Sequence, residues 1–346
     1  MLLRLTAAVA VAVAGFAAFA LYESRWLGLF PLGEVPPKWD SYHALRTAFA
    51  LSLSILMAAL AYRGRQADAP IEREGMNASG MAAAAAVLAL AAGACLLFLL
   101  DLRDFAAGAE EDSAVEWASA LLLLLGSALV AVTAWSWLRR GDRRGAALAA
   151  AFALLFFVTG MEEISWMQRV FGFGTPPELA RANMQGEFNL HNVHTDLSEN
   201  VYYLGASALL ILLPFLRDAV PPSGRLGWVE AFLLRRWVAA AAAPMAMFNY
   251  GMWNVIPMQM TFYLTVVLAL LWAAAAHRRG DHAESALFAA LALAVAAGQA
   301  LFLSRSHLLP NVWDPSEYKE LFVALGLACF AADLWLRARR PSAARS

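Results

Sequence analysis

The sequence predicts an all-α protein, a polytopic transmembrane helical bundle of about ten spans with both termini cytoplasmic. Three observations predict it. The 346 residues are 61% hydrophobic and only 15% charged, which is the composition of a membrane chain. Apolar runs of about 20 residues, enough to cross a hydrocarbon core, recur along the whole length. Arginines mark every second junction between these runs, as the positive-inside rule requires. The chain reads as a single integral membrane domain, 1–346.

The first span, 3–22, carries Arg4 at its start. Ala18-Phe19-Ala20 also fits a signal-peptide cleavage site, but the apolar run is long for an h-region, so an uncleaved span is preferred. The second, 44–62, holds Arg46 early and ends at Arg63, Arg65 and Arg73. The third, 81–100, is followed by Asp101 and Arg103. The fourth, 117–138, starts behind Glu110-Glu111-Asp112 and Glu116 and ends at Arg139 and Arg140. The fifth, 146–168, follows Arg143 and Arg144 and carries Glu162 and Glu163.

An extracytoplasmic loop, 173–198, is the longest non-apolar stretch and contains His191 and His194. The sixth span, 200–216, closes with Arg217. Asp196 and Glu199 have the spacing of an Asp-led capping box for it. Segment 225–236 reads as an interfacial helix or a helix extension. The seventh span, 237–254, is kinked by Pro244 and forms a hairpin with the eighth, 258–276, closed near Asn254 and Pro257. The ninth, 285–303, follows Arg278 and Arg279, and the tenth, 319–336, precedes Arg337, Arg339, Arg340 and Arg345. All twelve tryptophans fall near span ends, as an aromatic belt does. Cys95 and Cys329 lie in apolar runs and read as small buried hydrophobes.

Ionisable groups within a bilayer cost roughly 2.5–3.5 kcal/mol each on insertion scales, so they are functional candidates by default. Counting 1.5 Å per residue from Ala146 places Glu162 about 24 Å into a core of about 30 Å, in the outer leaflet. On a continuous helix Glu162, Ser165 and Arg169 share one stripe, and Glu163 shares another with Trp166 and Met167. His191 and His194 are three apart, a spacing that suits a shared metal on a helix. The bland alternative pairs the glutamates with Arg46, Arg103, Arg169 or Arg181, and leaves the histidines bonded to backbone.

The run Glu162-Glu163-Ile164-Ser165-Trp166-Met167-Gln168-Arg169-Val170-Phe171-Gly172 has Glu116-Trp117 upstream and Asn189-Leu190-His191-Asn192 downstream. It resembles an uncharacterised group of bacterial polytopic membrane proteins with an E-E-x-S-W-G-Q-R-x-F-G signature. The resemblance covers about a quarter of the chain and implies a bacterial inner-membrane location. It also implies that Glu162, Glu163, Ser165, Trp166, Gln168, Arg169 and His191 act together. Met167 stands where the signature has glycine, and its side chain would fill space that glycine leaves to a neighbouring backbone. Membrane proteases of the prenyl-protein-processing type offer only an analogy, since Arg169 comes seven residues after Glu162 here.

The first functional expectation is a metal-dependent hydrolase or transferase acting on a lipid, lipid-linked or membrane-peptide substrate. Glu163, His191 and His194 would hold a divalent ion such as zinc, and Glu162, Glu163, Gln168 and Arg169 would supply acid–base and electrostatic chemistry. The alternatives are a proton- or cation-coupled transporter, with Asn249, Asn254 and Gln259 as polar lining, and a structural or partner-binding protein. Expected partners are membrane lipids and no nucleic acid. The chain has no nucleotide-binding loop, dinucleotide fingerprint or Gly-x-Ser-x-Gly turn.

Overall fold

The computed structural model describes residues 2–33, 37–63, 75–110, 112–219, 232–311 and 316–339, and among these it contains helices and no strands. In chain order the elements are α1 (Leu2–Tyr22) with a π-helical turn (Glu23–Leu27), α2 (Ser41–Arg63), α3 (Ala78–Leu100), α4 (Leu102–Ala107), α5 (Ala114–Arg139) and α6 (Arg143–Glu163). Short helices α7 (Gln168–Phe171) and α8 (Pro177–Ala182) precede α9 (Thr195–Ser207), which continues through a π-helical turn (Ala208–Leu212) into α10 (Leu213–Ala219). Then come α11 (Arg236–Ala242), a 3-10 segment (Ala243–Phe248), α12 (Ile256–Arg278), α13 (His282–Ser304) and α14 (Glu317–Ala338).

Among the described residues, nine helices are long and apolar enough to cross a membrane. They match nine of the ten expected spans. The seventh is different, because segment 236–255 is a broken helix. Pro244 has no N–H to donate, the α-helical ladder ends just before it at Ala242, and a tighter 3-10 coil runs on to Phe248. The chain then turns irregularly through Asn249–Val255. This segment is the best-buried part of the molecule, with Val238, Ala239, Ala240, Ala241 and Ala242 fully enclosed. Irregular backbone at membrane depth needs internal partners. Gln299 accepts from the Asn249 N–H at 3.0 Å, Asn249 Nδ2 donates to Met258 O at 3.1 Å, and Gln259 Nε2 donates to Trp253 O at 2.5 Å.

We call the end of the bundle near Arg139–Arg144, Arg235, Arg236 and Arg279 the basic end, and the other the acidic end. The sequence shows only basic residues and ordinary caps at the basic end, but the structure places two fully buried carboxylates there. Glu284 pairs with Arg236 at 2.9 Å and Arg279 at 3.0 Å. Asp333 pairs with Arg337 at 2.9 Å and with Arg235, and accepts from Trp237 Nε1 at 3.0 Å. The expected interfacial helix 225–236 lies mostly outside the described residues.

Small residues bring the site-bearing helices together. A Cβ on Gly160 of α6 would sit 3.1 Å from Leu123 Cβ and 3.2 Å from Ala120 O, so glycine there permits the close α5–α6 packing. On α14, Gly326 lies against Ala242 of the broken segment. At the acidic end Tyr318 stacks on Phe105 with centroids 4.2 Å apart and donates to Phe105 O at 3.0 Å, which fixes the start of α14.

Candidate functional site

The fifth span ends at Glu163 and does not continue to 168. Ser165, Trp166 and Met167 have φ of 46°, 55° and 62°, three consecutive non-glycine residues in the left-handed region. That conformation costs roughly 1–2 kcal/mol per L-residue, so the surroundings must impose it. Glu162, Ser165 and Arg169 consequently do not form a helical stripe. The turn also changes the meaning of Met167, because glycine suits this position through its backbone freedom, a constraint separate from the space around the side chain. Met167→Gly is expected to raise stability by about 1 kcal/mol, since relief of left-handed strain outweighs the chain entropy of glycine. Thermal unfolding in detergent reads this directly. A lower melting temperature would show that the Met167 side chain contributes more than its strained backbone costs.

The imposed turn is fastened by side chains of the signature. Glu162 accepts from Trp166 Nε1 at 2.6 Å, Leu190 N at 2.6 Å and His191 N at 3.0 Å. Ser165 donates to Glu187, and Asn189 Nδ2 donates to Ser165 Oγ at 2.9 Å. Gln168 accepts from Phe188 N at 2.7 Å and donates to Thr175 Oγ1 at 2.8 Å. Arg169 bridges Glu187 at 2.5 Å and Asp112 at 2.8 Å. Asn183 closes the loop from within, donating to Asn189 O at 3.0 Å and accepting from Gln185 N at 2.9 Å. Four of the signature residues, Glu162, Ser165, Gln168 and Arg169, therefore hold the 173–198 loop onto the end of α6. Glu187, the hub of this network, escaped sequence reasoning because a loop has no periodicity to single it out.

Glu163 points elsewhere. It lies close to Glu320 on α14 and in the field of Glu317 and Glu116, so carboxyl groups from α5, α6 and α14 meet at the acidic end. Tyr202 on α9 faces Glu163 and Glu320, and Tyr203 donates to Glu320 at 2.6 Å. Beside them the buried Lys319 donates to Asn249 Oδ1 at 2.6 Å and sits 4.0 Å above the Tyr203 ring. Glu116 also accepts from the Asp112 N–H, while Ser113 caps its helix at 3.3 Å from Glu116 N. Tyr202 and Tyr203 went unnoticed in the sequence because tyrosines at a span end read as belt residues.

His191 opens a 3-10 turn (His191–Val193) with Nδ1 3.6 Å from Glu162. His194 is exposed and precedes α9. No group of three or more His, Cys, Asp or Glu side chains among the described residues is placed to hold a metal ion. Arg46 pairs with Glu23 at 2.7 Å. Asp196 sits inside the first turn of α9, which begins at Thr195, so it does not lead a capping box. Comparison with protein-family models, curated proteins and solved structures finds no match.

Proposed function

We propose that this chain is a proton- or cation-coupled transporter of the bacterial inner membrane, crossing it ten times with both termini cytoplasmic, and that Glu163 and Glu320 are its carrying pair. The observation that carries the reading is the close approach of these two carboxyl groups, with Glu317 and Glu116 beside them and few basic groups to offset them. Two carboxyls held close cannot both stay ionised cheaply, so the pair is a place where a proton or a small cation is held between helices. The broken segment 236–255 supports the reading. Coupled transporters build their sites from discontinuous helices, and this one runs from the Arg236–Glu284 pair to Asn249 at Lys319. It supplies the tenth crossing. A metal-dependent hydrolase would need Glu163, His191 and His194 around one ion, and no group of three such side chains among the described residues is placed to hold one.

The test is charge displacement on a solid-supported membrane after a pH jump, using full-length protein in liposomes. Wild type is expected to give a transient current that is lost in Glu163→Gln and Glu320→Gln while both variants stay folded. Wild-type currents in both variants would end the proposal. A stoichiometric divalent metal that is lost in Glu163→Gln and in His191→Ala would restore the hydrolase.

A further inference from the structure

Two cavities lie one below the other along a single seam, away from the Glu163–Glu320 pair. The upper one, about 200 Å³, is polar and is lined by Glu23, Lys38, His43, Arg46, Asp196 and Asn254. The lower one, about 260 Å³, is apolar and includes Phe16, Leu204, Ile211, Leu212, Met260 and Leu264 in its walls. The same three strands of chain border both. On α1 and its π-turn, Glu23 is seven residues from Phe16, and on α9 Asp196 is eight residues from Leu204. At 1.5 Å per residue the apolar cavity therefore sits about 10–12 Å deeper on both helices. That is the offset between a lipid headgroup and the upper part of its acyl chains.

The upper pocket is built for a headgroup. Arg46 is 3% exposed, with Nη1 on Glu23 at 2.7 Å and Nη2 on Asn254 O, and its Nε has no hydrogen-bond partner. Lys38 is exposed at the rim, and its N–H donates to Asn254 Oδ1 at 3.3 Å. His43 is oriented by Asp40, whose carboxylate takes both the His43 N–H at 2.9 Å and Nδ1 at 2.8 Å. These bonds hold the Asp40 carboxyl below its ordinary range. Two cations, Arg46 and Lys38, thus face the pocket together with the carboxylates of Glu23 and Asp196. A ligand carrying one anion and one cation matches that balance better than a simple anion.

A second feature sets this seam apart. The two π-helical turns of the described residues border these cavities: Glu23 starts the first, and Ala208, Ile211 and Leu212 belong to the second. Such turns persist where a helix wall is reshaped around a function. Val13 beside the lower cavity is exposed, so the crevice opens on the lipid-facing surface.

We propose that this seam binds one zwitterionic glycerophospholipid from the leaflet at the acidic end, an ammonium-phosphate headgroup in the upper pocket and an acyl chain in the lower crevice. The phosphate lies against Arg46 and Lys38 and the ammonium against Asp196. The test is native mass spectrometry of the full chain in detergent, delipidated and then supplied with phosphatidylethanolamine or phosphatidylglycerol, with melting temperature read in parallel. One phosphatidylethanolamine is expected to survive gas-phase activation and to raise the melting temperature. Ala208→Trp, which fills the crevice, and Lys38→Ala, at the exposed rim, should each remove both effects. Equal retention by wild type and Ala208→Trp would overturn the proposal, as would phosphatidylglycerol binding as well as phosphatidylethanolamine. If the apo Ala208→Trp protein fails to fold, Lys38→Ala alone decides, because its side chain is exposed and supports no core contact.

Discussion

Glu162→Gln is expected to lower the stability of the protein by on the order of 2–3 kcal/mol, while the same change one residue later leaves stability unchanged or raises it. The two glutamates are neighbours in sequence with opposite surroundings. Glu162 receives three N–H donors on its two oxygens, from Trp166, Leu190 and His191. An amide has one accepting oxygen, so glutamine turns its NH₂ toward at least one donor and loses the charge assistance of the others. Glu163 receives no such set. The charged groups that act on it are the acids Glu320, Glu317 and Glu116. Glutamine there can donate to Glu320 without a shared proton and removes one member of a crowded acidic cluster, and sites that hold such crowding for a purpose gain stability when it is relieved. Thermal unfolding of both variants in one detergent gives the comparison. If Glu163→Gln proved the more damaging of the two, its carboxyl would be a structural tie and the proton-carrying proposal would lose its footing.

The helical architecture was legible in the sequence because its causes are local. A run such as 81–100 has no alternative to crossing a membrane, and the arginine alternation follows from insertion itself. What the sequence could not show depends on partners far along the chain. Arg46 looked like a candidate counter-ion for Glu162, but it is claimed by Glu23 and by Asn254, 208 residues away. The helical stripe of Glu162, Ser165 and Arg169 failed because propensity does not foresee three left-handed residues imposed by a loop that follows. Glu320 was visible only as one polar residue among several at an outer span end. Its meeting with Glu163 requires α5, α6 and α14 to pack as they do, which turns on small residues such as Gly160.

Glu284→Gln is expected to be among the costliest single substitutions in the chain, at about 3–5 kcal/mol, and costlier than Arg236→Gln. Glu284 is fully buried and receives Arg236 at 2.9 Å, Arg279 at 3.0 Å and the Met76 N–H at 2.8 Å. Neutralising it leaves two guanidinium groups without their carboxylate inside the bundle. Removing Arg236 instead leaves Glu284 still balanced by Arg279, so the loss is smaller. The position matters because Arg236 is the first residue of the broken segment, and the Glu284 pair is what anchors that segment at the basic end. Nothing in the 3-10 coil beyond Pro244 has an α-helical ladder to hold it. Loosening the anchor should therefore raise hydrogen exchange across 236–248 before it affects α13, which carries Glu284 but packs against α12. Equal exchange in wild type and Glu284→Gln, together with equal melting temperatures for the two charge variants, would show that the broken segment is fixed by its apolar packing alone.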